Sequence, residues 1–584
     1  MNYIKRTKTD IKENFTINLL KDRGILDENS DLNAYFHPTK DNLLPPEDLD
    51  NMDAGFQMFK HHLEQGSKVV VVVDSDVDGF TSASAVINYM NDYMKELYPN
   101  IQISYHVPEG KEHGLRSIMD YFTESCICDL ILIPDAATND DVECEQLKDL
   151  GYDILILDHH IQSRPNESAI VINNQSSPRY ENKDLSGVGV VYKFLQYCDK
   201  QFNISGADDY LDLVALGQIS DMVSLNTSEN RFICEYGLSH IKNTMFQALV
   251  EKQSYSISSP PTQIDVAFYI TPLINALIRV GTSNEKELLF RGFLNDEELV
   301  RSTKRGASYK DMESIAEQSA RNCVNAKSRQ NRIKEQAMEL LDIQISNNCL
   351  DENKILVVNA DELDIPRTLT GLVAMGIAAK YKKPTILGRI TPDGKTLKGS
   401  IRGRDNSPLK DFRQFLLDSE LMEFVEGHSN ASGFALPIKN LDRLISYANF
   451  ELDGVDFNEG SYDVDFVVNG NCSYLEDLIN NLAANSNLWG QANEEPVIAI
   501  EDINLDKSLI QVIGKNQDTL KFNFNGITYV KFKATEIIEK LNTLGQNVII
   551  TCVGRGNINE WQETFTPQIL VDAIDVKESS IYDF

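Results

Sequence analysis

Three runs of Val, Ile and Leu in this chain each end on an aspartate: Lys68-Val-Val-Val-Val-Val-Asp74, Asp129-Leu-Ile-Leu-Ile-Pro-Asp135 and Ile154-Leu-Ile-Leu-Asp158. The first and third continue into more acid and imidazole, as Asp74-Ser-Asp76-Val-Asp78-Gly79 and Asp158-His159-His160. Carboxylates crowded at one place are costly unless positive charge sits among them. Hard carboxylate oxygens with one or two imidazoles suit a pair of divalent ions, Mn²⁺ or Mg²⁺, and the imidazole favours Mn²⁺. Two such ions lower the pKa of a water and clamp the charge that develops at phosphorus. Metal-dependent hydrolysis of phosphoesters is the chemistry these residues predict. The Asp-x-Asp-x-Asp-Gly run also opens a calcium loop, but the twelfth position here is Ala85 rather than Glu, so that reading fails.

The elements that carry these acids follow from the runs themselves. Continuous apolar runs of this length read as strands buried on both faces, as in a helix-covered parallel sheet. Ligands of such sheets sit beyond the carboxyl ends of the strands, so three strand ends deliver acid to one rim. Strands and helical stretches alternate from Lys68 to about Leu238, the pattern of a doubly wound parallel α/β unit. Residues 1–66 are polar and mostly helical in pattern, and 67–300 is the expected catalytic domain. A long helix free of Pro and Gly is expected over about Tyr309–Leu341, within a connecting segment 301–350. A smaller α/β pattern follows over 351–450. Alternating strands over 460–584 predict a small all-β barrel.

Composition sets bounds on function. The 584 residues carry a formal charge of −33, a caution against a polyanionic ligand because phosphate binding draws on Lys and Arg. Local patches and bound ions decide the matter, however. Between Arg301 and Lys334 nine basic residues stand against three acids, which predicts either a track for a nucleic-acid backbone or a solvated helix face. No apolar run approaches the roughly 20 residues of a membrane helix, and no apolar segment follows the basic residues at the start, so neither a membrane nor a signal peptide is expected. Nine scattered cysteines without a Cys-x-x-Cys pair predict a reduced, cytoplasmic protein.

The set Asp74-x-Asp76-x-Asp78-Gly79, Asp135, Asp158-His159-His160 and Asp221 resembles the four motifs of the DHH phosphoesterase superfamily, and within it the RecJ single-stranded-DNA exonucleases. Leu216-Gly-Gln-Ile-Ser-Asp221, Leu185-Ser-Gly187-Val-Gly189 and Pro272-Leu-Ile-Asn275-Ala276-Leu-Ile-Arg279 are similar to RecJ segments. Gly399-Ser400-Ile-Arg402 and Gly427-His428-Ser-Asn-Ala431-Ser-Gly433 resemble the accompanying DHHA1 domain, and Leu488-Trp489-Gly490 resembles the opening of the RecJ OB-fold. The chain departs from the family at Ala136-Ala137, where a polar or glycine-containing continuation is usual, and at Glu426, which replaces the first of two glycines.

The resemblance implies two Mn²⁺ or Mg²⁺ ions bridged by Asp135, with Asp74 and Asp76 on one side and Asp78, His159 and Asp221 on the other. It implies that Asp158 orients His159 and that His160 faces the scissile phosphate. Ser400, Arg402 and His428 are implied phosphate contacts, since Arg offers a bidentate fork and Ser a short donor. Asn275, Arg279 and, as a base-stacking aromatic, Trp489 complete the implied substrate contacts. Phe522 and Phe524 share one face of a strand, which fits a core better. The implied activity is 5′-to-3′ exonuclease action on single-stranded DNA in recombination, repair or replication, with single-strand-binding protein or a helicase as partners. Two alternatives stand beside it: a DHH/DHHA1 phosphodiesterase for short RNA or cyclic dinucleotides, and a non-catalytic DNA-binding scaffold.

Overall fold

A computed structural model describes every residue except 111–112, 364, 405–406, 458–460, 562–563 and 580–584. The chain divides into two compact units, one of residues 31–330 and 487–494, the other of 1–30, 331–486 and 495–584.

The first unit is built on a five-stranded sheet in the spatial order Gln102–His106, Lys68–Val72, Leu130–Pro134, Asp153–Asp158, Ile170–Asn173. All four pairings are parallel. The apolar runs are buried on both faces, as their composition requires: Val69 and Val71 belong to one core cluster and Val70 and Val72 to the other. Helices Val77–Tyr89, Gly187–Phe202 and Leu211–Ser220 pack together on one face. Gln263–Val280 is apolar and long enough to span a membrane, which the sequence reading did not foresee. Its residues Val266, Ile270, Ile274 and Leu277 are buried in the main core of this unit.

The second unit contains two sheets. One runs in the order Phe424–His428, Ala431–Pro437, Thr396–Arg402, Thr385–Ile390, Leu356–Asn359, antiparallel except for its last pair. The other has seven strands, from Phe466–Asn469 at one edge to Gln511–Ile513 at the other. Those edges do not pair among the described residues, so the expected barrel is an unclosed sheet, and helices Leu475–Ala484 and Thr535–Thr543 accompany it.

The amino-terminal segment is not one helical piece. Asn2–Lys5 is a strand lying parallel to Ser461–Val464. Arg6 and Arg23 both bind Asp465, which is fully buried. A buried carboxylate needs such partners, and they tie residues 1–30 to the carboxy-terminal half. The long helix runs over Ile315–Asn347, six residues later than expected at both ends. A hairpin of Leu299–Arg301 and Met312–Ser314 occupies the stretch before it. Of the basic residues there, Arg321 pairs with Glu313, Arg329 with Glu285, and Lys304 with Glu313 and Glu317. These pairs engage three of the nine basic residues of the stretch.

Candidate metal centre

The rim of the parallel sheet gathers its acids in the way the strand ends dictate. Asp74 stands two residues after the Lys68–Val72 strand, Asp135 comes directly after Leu130–Pro134, and Asp158 closes Asp153–Asp158. The chain does not stay extended from Asp74 to Asp78. Asp76 caps a helix that begins at Val77, accepting the Gly79 N–H at 2.9 Å, and Asp78 lies in its first turn. That change of backbone divides the three acids. Asp74 and Asp76 join one potential ligand group, and Asp78 joins another with His159 and Asp221.

Asp78 is buried and receives donors from the start of the next helix: Ser186 Oγ at 3.1 Å, Gly187 N–H at 2.7 Å and Val188 N–H at 3.2 Å. A helix amino terminus is a favourable place for a carboxylate. His159 stands between two acids, with Nε2 3.3 Å from Asp135 Oδ1 and Nδ1 3.7 Å from Asp221 Oδ2. Asp135 is itself 2 % exposed, and its Oδ1 has no hydrogen-bond partner. Burial and the charges of Asp78, Asp76 and Asp74 push the Asp135 carboxyl well above the ordinary range. Asp221 is pushed up to about 8 by the protein packed around it and by Asp78 and Asp76. Burial likewise raises Asp74 and Asp78.

Buried carboxylates crowded in this way call for positive charge among them. A buried oxygen that accepts no hydrogen bond, among other oxygen and imidazole donors, fits one or two hard divalent ions. Bound there, such ions would neutralise the carboxylates and supply an activated water.

Three glycines explain how the acids come so close to neighbouring backbone. A Cβ on Gly79 would meet Asp74 Cβ at 2.5 Å; on Gly187, Asp135 Oδ1 at 2.3 Å; on Gly217, Asp78 Oδ1 at 2.5 Å. The departure at Ala136-Ala137 also acquires a meaning. Asp135 and Ala137 adopt left-handed φ values of 63° and 75°, a region glycine enters without the Cβ cost that alanine bears.

Asp158 does not orient the His159 ring as expected. Its Oδ1 hydrogen-bonds His160 Nδ1 at 2.8 Å and takes the His159 N–H at 2.7 Å, while Oδ2 takes the Thr138 N–H at 3.0 Å. Burial alone would raise the Asp158 carboxyl, but the hydrogen bond and charge of His160, with His159 and Thr138, hold it well below the usual range. In return, His160 is raised to about 9, chiefly by that hydrogen bond. The Asn173 amide, at the end of the next strand, donates to the His160 carbonyl at 2.8 Å and fixes this turn.

The other expected site residues divide three ways. Arg279 lies on the Thr271–Val280 helix with Asn275 one turn before it, and burial lowers the pKa of its guanidinium while the charge of Asp76 opposes that shift. In the second unit, Arg402 and His428 both stand opposite Ala431 in adjacent antiparallel pairs, with Ser400 two residues from Arg402. Directly opposed residues share a face, as do residues two apart, so Ser400, Arg402 and His428 occupy one face of that sheet. Glu426 shares it too, since it and Ser400 are both opposite Gly433. Trp489, by contrast, is 2 % exposed, packed in the first unit, and has no free face on which a base could stack. Phe522 is buried and stacks on Tyr529 with centroids 4.8 Å apart, as a core pair.

One residue at the rim escaped the sequence reading. His113 Nδ1 is 2.6 Å from Asp74 Oδ2, and it groups with Asp74 and Asp76. No spacing flags it. The pairing of Gln102–His106 beside Lys68–Val72 does, because the loop leaving that strand reaches the same rim.

Comparison with known proteins agrees with this architecture. Residues 68–218 match the model of the DHH family, N-terminal domain, and 472–573 match the RecJ OB domain. An SPbeta prophage-derived protein of Bacillus subtilis, named as a single-strand DNA-specific exonuclease, is 38% identical over 566 residues, covering 96% of this chain and 95% of that protein. The single-stranded-DNA-specific exonuclease RecJ of Bacillus subtilis is 26% identical over 589 residues, covering 97% of this chain and 68% of its own length. The crystal structure of RecJ from Thermus thermophilus in complex with Mn²⁺ superposes with a TM-score of 0.71 at 19% identity, over 96% of this chain and 76% of that one. With its full-length relative, its paired DHH and OB domains and its rim of acids, this chain belongs to the RecJ-like family of DHH exonucleases.

Proposed function

We propose that this protein is a metal-dependent exonuclease specific for single-stranded DNA, degrading it 5′ to 3′ and releasing 5′-mononucleotides in recombination, repair or replication. The observation that carries the reading is the convergence of Asp74, Asp76, Asp78, Asp135, His159 and Asp221 at one rim, where the buried Asp135 Oδ1 accepts no hydrogen bond and has only the His159 ring beside it. The names of its relatives supply the substrate class.

In this reading Asp74 and Asp76 would hold one Mn²⁺ or Mg²⁺ and Asp78, His159 and Asp221 a second, with Asp135 as a ligand of the pair. The ions supply an activated water and charge neutralisation. His160, held by the hydrogen bond between its Nδ1 and Asp158, faces the phosphate. Ser400, Arg402 and His428 take phosphates of the strand through charge-assisted hydrogen bonds, with Asn275 and Arg279 as further contacts. Partnership with single-strand-binding protein or a helicase extends the same reading. Nine unpaired cysteines support a reduced, cytoplasmic setting.

The test is cleavage of labelled single strands with DNA or RNA backbones, with either end blocked, in Mn²⁺ or Mg²⁺. The reading expects metal-dependent release of mononucleotides from DNA with a free 5′ end. Loss of activity on blocking only the 3′ end would overturn the polarity. Preferred turnover of very short RNA would favour a phosphodiesterase of short substrates.

A further inference from the structure

We propose that His113 is a ligand of the metal pair, giving the Asp74–Asp76 half an imidazole donor to match His159 in the Asp78–Asp221 half. The inference rests on the two-ion reading above and adds to it a residue that no motif marks.

Three observations carry it. One ligand atom each from Asp74, Asp76 and His113 lies within 4.8 Å of the others, and Asp78, His159 and Asp221 meet the same condition. Each half of the rim therefore offers two carboxylates and one imidazole. Second, His113 is held in place by its backbone. Gly114 takes a left-handed φ of 70°, and a Cβ there would meet Asp140 Oδ2 at 2.2 Å. The adjoining Leu115 is fully buried and donates its N–H to that same Asp140 Oδ2 at 2.7 Å. This anchors the chain immediately after His113. Third, the His113 side chain is 51% exposed whereas Asp74 is 3% exposed, so the ring is open to an ion arriving from solvent while the carboxylate beside it is buried.

The chemical consequence concerns which ion is chosen. Mg²⁺ prefers an all-oxygen shell and keeps its waters, whereas imidazole suits Mn²⁺ and later transition metals. A nitrogen donor in each half would tilt both positions toward Mn²⁺. A plain counter-ion role, in which His113 only pairs with Asp74, would instead affect Mn²⁺ and Mg²⁺ alike.

Counting bound Mn²⁺ by the electron paramagnetic resonance of the free ion, with Mg²⁺ as competitor, separates these roles in the full-length protein. Wild type should bind two Mn²⁺. His113→Ala should keep one at wild-type affinity and weaken the other about tenfold or more, within the range seen when metal-site partners are lost. Its Mg²⁺ affinity should stay within about twofold of wild type, since an oxygen-seeking ion loses little. His113→Gln, retaining a hydrogen-bonding group, should show the same selective loss, and a melting curve of each metal-free variant checks its fold. Two Mn²⁺ bound as in wild type would overturn the proposal, and so would equal weakening of both ions. If wild type bound no Mn²⁺ at all, the two-ion reading itself would fall.

Discussion

Gly187 is packed against Asp135 so closely that a Cβ would come within 2.3 Å of the carboxylate oxygen, while its own N–H binds Asp78 at 2.7 Å. One residue without a side chain thus sets the spacing between two of the proposed ligands. Gly187→Ala should leave the fold in place, because the helix it begins tolerates alanine, yet displace Asp135. A displacement near 1 Å at a reacting centre costs on the order of 10²-fold in rate. Circular dichroism and single-strand cleavage would check this, and near-normal turnover would show that Asp135 need not hold its position.

Asp135→Asn should abolish cleavage and raise the stability of the metal-free protein. The carboxyl is pushed well above its ordinary range by burial and by Asp78, Asp76 and Asp74, so its charged form opposes folding at neutral pH. Removing that charge isosterically should add on the order of 1 kcal/mol, read as a higher melting temperature in chelator. Added Mn²⁺ should then stabilise wild type, by mass action, more than the variant. A variant less stable than wild type in chelator would contradict the crowding argument.

Asp158→Asn should lower the pKa of His160, whose value of about 9 against an ordinary 6.5 derives first from the Asp158 hydrogen bond. A raised histidine pKa adds stability in full below about pH 6.5, and that increment is lost as pH rises through about 9. Imidazole resonances of the metal-free protein, titrated by NMR, should move their midpoint downward in the variant, and the alkaline loss of stability should disappear. An unchanged midpoint would mean that Asp158 does not control His160.

Asp465→Ala should strip Arg6 and Arg23 of the carboxylate that both engage, and remove the acceptor of the Val497 N–H at 2.9 Å. Breaking a buried pair by deleting one partner costs about 3–5 kcal/mol. Protease sensitivity of residues 1–30 should rise with it. The same pairing means that removing residues 461–584 would also release the amino terminus. An intact melting curve in Asp465→Ala would show that the amino-terminal strand pairing suffices alone.

The parallel sheet and the acids of the rim were legible in the sequence because both follow from local rules. An apolar run buried on two faces is itself the mark of a parallel strand, and the residue after such a strand lies at the ligand-binding edge whatever else the chain does. Asp74, Asp135 and Asp158 needed nothing more. The partition of Asp74, Asp76 and Asp78 between two groups was not legible, because it depends on where the backbone turns from strand to helix, and Asp76 settles that by capping at Gly79. Nor was the partner of Asp158, since His159 and His160 are adjacent in the chain and only the turn secured by Asn173 decides which ring meets the carboxylate. His113, the burial of Trp489 and the ties from Arg6 and Arg23 to Asp465 belong to the same class. Each joins residues far apart in the chain, and no periodicity records such a distance; only packing brings them together.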